Sequence, residues 1–135
     1  MPTINWLAVL AATAANFLLG GVWYGALGHS WLEALNKRKE DLPKGPVPYV
    51  TAALGSFVNA AMLACFIQWF DRDPEKAWNI GHGLALGAAT SLGFLGASMA
   101  KHYAFANWPT KLFAIDFGVD LVGFMLMGAI LTAWR

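Results

Sequence analysis

Four long apolar runs alternate with short polar connections along the chain. The runs occupy about residues 5–27, 48–70, 79–103 and 110–134, and each stops at glycine, proline or a cluster of charges. A hydrocarbon core of ~30 Å needs ~20 apolar helical residues, which every run supplies. The pattern therefore predicts an all-α fold, an integral membrane bundle of four transmembrane helices that forms a single domain over residues 1–135.

The tryptophans mark the same four segments independently. All seven lie at the ends of the apolar runs or in the connections between them. They are Trp6, Trp23, Trp31, Trp69, Trp78, Trp108 and Trp134. Because indole is amphipathic and prefers the level of the lipid headgroups, this placement is typical of transmembrane helices.

The first connection is the only sizeable one, and it carries a helix signal of its own. Ser30-Trp31-Leu32-Glu33 has the spacing of a capping box, in which the serine oxygen and the glutamate carboxylate accept hydrogen bonds from free helix N–H groups. The segment predicts a short helix that lies in the membrane interface through an apolar face containing Trp31. A solvated loop helix is the alternative.

Composition and charge agree with a membrane protein and indicate its orientation. Hydrophobic residues make up 58% of the chain and charged residues 13%, whereas soluble domains have roughly 25% charged residues. The net charge of +1 does not indicate a nucleic-acid partner. Six Lys and Arg residues lie in or beside the first and third connections, against three elsewhere. This excess predicts that those connections are cytoplasmic and that both termini are not.

Four polar side chains fall near the middle of the apolar runs, one in each run. They are Asn16, Asn59, Ser91 and Asp120. A carboxylate at mid-bilayer costs ~2.5–3.5 kcal/mol on insertion scales, so Asp120 should face the bundle interior, carry a proton, or both. The two amides and the serine hydroxyl are its predicted hydrogen-bonding partners.

A second acid lies one helical turn before Asp120. Asp116 is on the same helix face, and in an antiparallel hairpin it falls level with Lys101. The sequence predicts an ion pair between Lys101 and Asp116, because pairing offsets the cost of burying either charge alone. His102 is adjacent and is a candidate proton relay.

These polar groups have two interpretations. In the structural one, the mid-membrane cluster fixes helix register and the Lys101–Asp116 pair anchors the hairpin. In the functional one, Asp120, Asp116, Lys101 and His102 line a path for a proton or a small cation, since ionisable residues inside the membrane are functional candidates. The structural interpretation is favoured, because no charged residue continues the path outward from Asp120.

The sequence contains no pattern that indicates catalysis or a bound cofactor. It has no HExxH, no P-loop and no phosphate-cradling glycine motif, and its single cysteine excludes an intramolecular disulfide. We therefore expect no catalytic residue, no metal site and no cofactor. His82 leaves open a pigment or haem supplied by a partner.

Several segments resemble one family of small membrane proteins. They are Asn5-Trp6-Leu7-Ala8-Val9-Leu10, Gly20-Gly21-Val22-Trp23-Tyr24 followed by Trp31, and Lys111-Leu112-Phe113-Ala114-Ile115 through Met127-Gly128-Ala129-Ile130-Leu131. In outline, most of the chain resembles domain-of-unknown-function family 1761, small bacterial four-helix integral membrane proteins. The resemblance implies a four-helix domain in the bacterial inner membrane, and it implies no activity and no functional residues.

These observations predict a small polytopic membrane protein without catalytic activity. The near absence of residues outside the bilayer favours an accessory or scaffolding subunit of a membrane complex, or a homo-oligomer. Its partners would then be lipid and either another membrane protein or a second copy. The alternative is a minimal transporter or channel for a proton, a cation or a small solute that uses Asp120 and Asp116.

Overall fold

The computed structural model describes residues 3–135 and contains four long helices. Helix α1 spans Trp6–Leu35, α2 spans Val47–Phe70, α3 spans Ile80–Phe105 and α4 spans Thr110–Ala133. Each helix is long and apolar enough to cross a membrane, and residues 3–135 contain no strand. The predicted all-α bundle of four transmembrane helices is therefore confirmed.

Helix α1 extends well past its predicted end at residue 27. It continues through Ser30 and Trp31 to Leu35, a length of 30 residues, and Asn36 ends it in the left-handed conformation at φ 54°. Ser30–Glu33 therefore belongs to the last turns of α1 and does not begin a separate interfacial helix, so that prediction is not supported. The described first connection contains only one short 3₁₀ turn, Lys39–Asp41. The apolar face around Trp31 turns towards α4, which favours the continuous helix.

Helix α4 is the centre of the bundle. It contacts all three other helices, and its buried residues run along its whole length from Leu112 to Thr132. In contrast, α1 buries residues only near its start, from Ala8 to Ala12, and α2 buries none before Ser56. The packing is therefore uneven between the two ends of the bundle.

Helices α3 and α4 approach each other through glycine. A Cβ added at Gly83 would overlap the carbonyl of Gly128, and a Cβ at Gly87 would overlap the carbonyl of Phe124. Because lipid offers helices no hydrophobic driving force to associate, close backbone contact of this kind is a main source of their attraction. The two glycines of α3 thus pack against α4 inside the chain.

One end of the bundle is closed, and we call it the closed end. It contains the start of α1, the second connection and the end of α4. Fully buried apolar side chains fill the space between α1, α2 and α4, and they include Val9, Ala12, Ala60, Leu63 and Met127.

Polar groups tie the surface of the closed end together. Arg135 forms an ion pair with Asp71 and donates to the Trp78 carbonyl, and the Asn5 side chain donates to the Trp134 carbonyl at 3.4 Å. These contacts join the start of α1, the second connection and the end of α4.

The opposite end is open between α1 and α2, and we call it the open end. The side chains of Val47 and Tyr49 are 72% and 68% exposed. Within the described chain, no hydrogen bond ties residues 38–55 to α1, α3 or α4. The first half of α2 therefore stands away from the rest of the bundle.

Candidate functional site: an intramembrane cleft

Asp116 joins three helices near the open end. Its carboxylate accepts hydrogen bonds from the Tyr24 hydroxyl at 2.7 Å, the Trp31 indole N–H at 2.9 Å and the Tyr103 hydroxyl at 2.6 Å. Tyr24 and Trp31 lie seven residues apart on one face of α1, and Tyr103 lies on α3. Three donors around one carboxyl group suit the ionised form, which can only accept.

The predicted ion pair between Lys101 and Asp116 does not form. Lys101 is exposed, and the salt bridges among residues 3–135 join other side chains. Tyr103 lies two residues after Lys101, which is about 200° around a helix with ~3.6 residues per turn. The face of α3 that meets α4 therefore presents the tyrosine, although both residues lie near the depth of Asp116.

The predicted proton relay through His102 is not assembled either. His102 is exposed, and within the described chain its side chain donates no hydrogen bond to Asp116 or Asp120. The two acids point into the bundle from α4, whereas Lys101 and His102 lie on an exposed face of α3. The structure therefore places Lys101 and His102 apart from the two acids with which they were predicted to form a path.

Three of the four predicted mid-membrane groups come together. Asn16, Asn59 and Asp120 all line one cavity between α1, α2 and α4. The Asn16 side-chain amide donates to the Ser56 hydroxyl at 2.8 Å, which links α1 to α2. Gly123 of α4 leaves room for this link, since a Cβ there would overlap the Asn16 side-chain oxygen.

Ser91 is the exception and lies apart from this cavity. It is fully buried at the start of the π-helical segment Ser91–Gly96, and its hydroxyl has no hydrogen-bond partner among the described residues. The carbonyl of Gly87, one turn earlier, already accepts from the Ser91 backbone N–H and from the Thr90 hydroxyl at 3.1 Å. The usual back-bonding acceptor of a helical serine is therefore already engaged.

The cavity shared by Asn16, Asn59 and Asp120 has a volume of about 650 Å³, and we call it the inner cavity. It is lined by Asn16, Phe17, Gly20, Gly21, Tyr24, Gly25, Pro48, Tyr49, Ala52, Gly55, Ser56, Asn59, Val119 and Asp120. Sites for small molecules are typically ~300–1,000 Å³, mostly apolar, and carry a few convergent polar groups. The inner cavity has these properties.

A second cavity of about 1130 Å³ continues the inner cavity towards the first connection. The two cavities share Tyr24, Gly25, Pro48 and Tyr49, so they adjoin, and together we call them the α1–α2 cleft. The charged side chains at its mouth are of both signs, and they are Glu33, Lys37, Arg38, Lys39 and Glu40. The cleft therefore runs from a charged mouth to a polar floor at mid-membrane.

Asp120 and Asn59 form the polar floor without partners of their own. Both side chains are half-buried, and neither makes a hydrogen bond to another described residue. Polar groups inside a membrane are costly unless they are paired or face a water-filled space. The floor of the cleft thus offers a carboxyl group and an amide to whatever occupies the inner cavity.

The cleft stops at the closed end. On the side of the closed end, Ala12 lies one turn from Asn16 and Ala60 lies one turn from Ser56. Both alanines are 0% exposed. Met127, two turns after Asp120 on α4, is also 0% exposed. In this arrangement the inner cavity is reached from the open end and from the side, and packed apolar residues separate it from the closed end.

Sequence reasoning missed several residues of this site. Trp31 was predicted only as an interfacial tryptophan and Tyr24 and Tyr103 were not predicted as site residues, yet all three donate to Asp116. Tyr49 and Ser56 also line the inner cavity. The spacing of seven residues between Tyr24 and Trp31 was the available signal, because it places both side chains on one face of a continuous helix.

The lining of the cleft determines which groups it can contact. Over residues 3–135 there is no group of three or more His, Cys, Asp or Glu side chains that could hold a metal ion. The lining of the inner cavity has one carboxyl group, two amides and hydroxyl groups, with aromatic rings and small residues around them. These groups can pair with a charge or with hydrogen-bond donors and can pack against an apolar body.

Comparison with known proteins gives a family and no assigned activity. No curated protein and no solved structure matches the chain. The sequence model of one family, described as protein of unknown function (DUF1761), matches residues 7–132, which include all four membrane-spanning helices apart from their outermost residues. The chain therefore belongs to the DUF1761 family.

Proposed function

We propose that this protein is a non-catalytic accessory protein of the membrane that binds a molecule in the α1–α2 cleft. The observation that carries the proposal is the floor of the inner cavity, where Asp120 and Asn59 lack partners within the described bundle. A bundle that used these groups only to fix helix register would pair them with polar groups on neighbouring helices, as the Asn16 side chain is paired with the Ser56 hydroxyl.

The shape of the bundle supports the same proposal. The closed end supplies a packed core between α1, α2 and α4, while the first half of α2 buries no residue before Ser56. Packing that is complete at one end and open at the other is expected of a scaffold that presents a pocket.

The test is to identify what stays bound when the protein is purified in mild detergent. We expect mass spectrometry of the wild type to detect a retained molecule. Two variants should lose it: Asp120→Asn, which removes the charge, and Gly21→Leu, which fills the inner cavity. Gly21 lines the inner cavity and no atom lies within 4 Å of an added Cβ, so the backbone accepts a leucine there without a clash.

A matched control comes from α3. Gly93 is also exposed and also has nothing within 4 Å of an added Cβ, but it does not line the cleft. Gly93→Leu should retain the molecule at the wild-type level. Equal retention in Gly21→Leu, Asp120→Asn and Gly93→Leu, or no retained molecule in the wild type, would contradict the proposal. The same purification reports any protein partner and the oligomeric state.

Transport of a proton or cation is the second candidate function. The observation that favours it is the pair Asp116 and Asp120, one turn apart on α4, with Asp120 reached through the cleft from the open end. Transport also requires a path through the packed residues of the closed end. Flux into proteoliposomes that is present in the wild type and absent in Asp120→Asn would favour transport over the accessory role.

A further inference from the structure

The charge of the inner cavity indicates what kind of molecule it accepts. Among the residues that line it, Asp120 is the only charged side chain, and no Lys, Arg or His is present. The neighbouring acid, Asp116, is also without a basic partner, because its three hydrogen bonds come from neutral hydroxyl and indole groups. The interior at this level therefore contains two acids and no cation of its own.

The ion pairs that the described chain does form lie elsewhere. Lys111 approaches Glu33 at 3.9 Å on the surface of the open end, and Arg135 pairs with Asp71 at the closed end. Neither pair reaches the inner cavity. A positively charged ligand would balance charge there, whereas an anion would be repelled by Asp120 at close range in a medium of low dielectric constant.

The walls of the inner cavity indicate the rest of the ligand. The rings of Phe17, Tyr24 and Tyr49 line it together with Asp120. Aromatic faces attract ammonium and related organic cations, most strongly where water is excluded. A hard metal cation would instead need several oxygen ligands, and the described residues provide no cluster that could hold one.

The exposed rim of the cavity indicates how such a ligand enters. Gly21 and Gly25 on α1 and Ala52 and Gly55 on α2 are exposed small residues at membrane depth. The gap between the two helices is therefore open sideways to lipid. A lipophilic cation concentrates in the bilayer and can enter by this route without crossing the basic residues at the mouth.

We propose that the inner cavity binds lipophilic organic cations, with the Asp120 carboxylate as counter-ion and the rings of Tyr24, Tyr49 and Phe17 around the charged group. This inference rests on the proposed function, because it names the class of molecule that the cleft holds. Asn59 would add a hydrogen-bond acceptor for cations that carry an N–H group.

The experiment measures binding of tetraphenylphosphonium to the purified full-length protein by equilibrium dialysis. We expect saturable binding by the wild type and by Asp120→Glu, which keeps the charge. Asp120→Asn and Gly21→Leu should each weaken binding by about ten-fold or more, since one loses the counter-ion and the other the space. Gly93→Leu should bind as the wild type does. Neutral triphenylphosphine oxide, of similar size, should bind far more weakly.

The outcomes separate this inference from the proposed function. Equal binding of the cation and the neutral compound, or equal cation binding by Asp120→Asn and the wild type, would overturn the assignment of a cation. If tetraphenylphosphonium does not bind but Gly21→Leu still loses the co-purified molecule, the cation class is wrong and the proposed function stands. If Gly21→Leu changes neither the retention of the co-purified molecule nor the binding of tetraphenylphosphonium, the proposed function and the cation class are both wrong. Should Asp120→Asn fail to fold, the neutral compound tests the need for charge and Gly21→Leu tests the location of the site.

Discussion

Three aromatic side chains hold the Asp116 carboxylate, and through it they join α1, α3 and α4. Each bond uses the polar tip of a ring whose body packs in apolar surroundings, as amphipathic aromatics generally do. Hydrogen bonds to a charged group contribute ~1.5–3 kcal/mol each, more than bonds between neutral groups. The Trp31 bond has a further effect, because it joins the last turns of α1 to α4, as does the more exposed Glu33–Lys111 pair.

Replacing Trp31 with phenylalanine tests this anchor. Trp31→Phe keeps an aromatic ring but removes the donor, so we expect the α1 segment from Ser30 to Leu35 to exchange its amide hydrogens about ten-fold faster or more. Hydrogen exchange followed by mass spectrometry measures this change in rate. Trp69→Phe is the control, since Trp69 is 58% exposed and donates no hydrogen bond among the described contacts. Similar exchange in both variants would show that Trp31 is not an anchor.

At this scale the sequence predicted which acids lie in the membrane and missed their partners. Depth in the membrane can be counted along an apolar run, so the depths of Asp116 and Asp120 could be predicted from the sequence. The side of α3 that faces α4 could not be predicted, because every face of α3 is apolar or small over residues 83–100. No feature of the sequence therefore distinguished Lys101 from Tyr103 as the partner of Asp116. The opposite charge of Lys101 led to the wrong prediction.

At the scale of the helices, the packing of α3 against α4 depends on glycine. The backbone of Gly83 lies against that of Gly128, and no side chain fits between them. Helices packed in this way lose contact along their whole length if one residue forces them apart, because interiors are too dense to absorb an extra carbon. Gly83 and Gly87 are four residues apart on α3, and in the structure the face that they form meets α4.

Alanine substitutions at two glycines should have opposite effects. We expect Gly128→Ala to destabilise the bundle by ~1–3 kcal/mol through overpacking. Gly93→Ala should leave stability unchanged or raise it by up to ~1 kcal/mol, because alanine favours helix and open space surrounds that site. Thermal unfolding in detergent, followed by size-exclusion chromatography, measures both. A Gly128→Ala protein as stable as the Gly93→Ala protein would contradict close packing at Gly128.

The extent of the helices was predictable in three cases and not in the fourth. The predicted limits of α2, α3 and α4 differ from the observed ones by at most two residues. Helix α1 exceeds its predicted end by eight, from residue 27 to Leu35. The glycine, histidine and serine after residue 27 resemble a helix stop, but contact with α4 overrides such weak local preference.

At the scale of the whole molecule, the bundle combines a packed half with an open half. The even number of helices places Asn5 and Trp134 at the same end, and a hydrogen bond joins them at 3.4 Å. We propose, from the excess of Lys and Arg at the first and third connections, that the open end faces the cytoplasm. The α1–α2 cleft would then be accessible from that side and from the surrounding lipid.

Accessibility of Asn59 to a thiol reagent tests the central claim most directly. The single native cysteine is first removed as Cys65→Ala, and Asn59→Cys or Ala60→Cys is added in membrane vesicles of known orientation. These neighbours differ in environment, since Asn59 lines the inner cavity and Ala60 is 0% exposed in the packed core. We expect a small charged methanethiosulfonate to label Asn59→Cys from the cytoplasmic side and to leave Ala60→Cys unlabelled. Equal labelling of the two cysteines, or no labelling of Asn59→Cys from either side, would contradict an open intramembrane cleft.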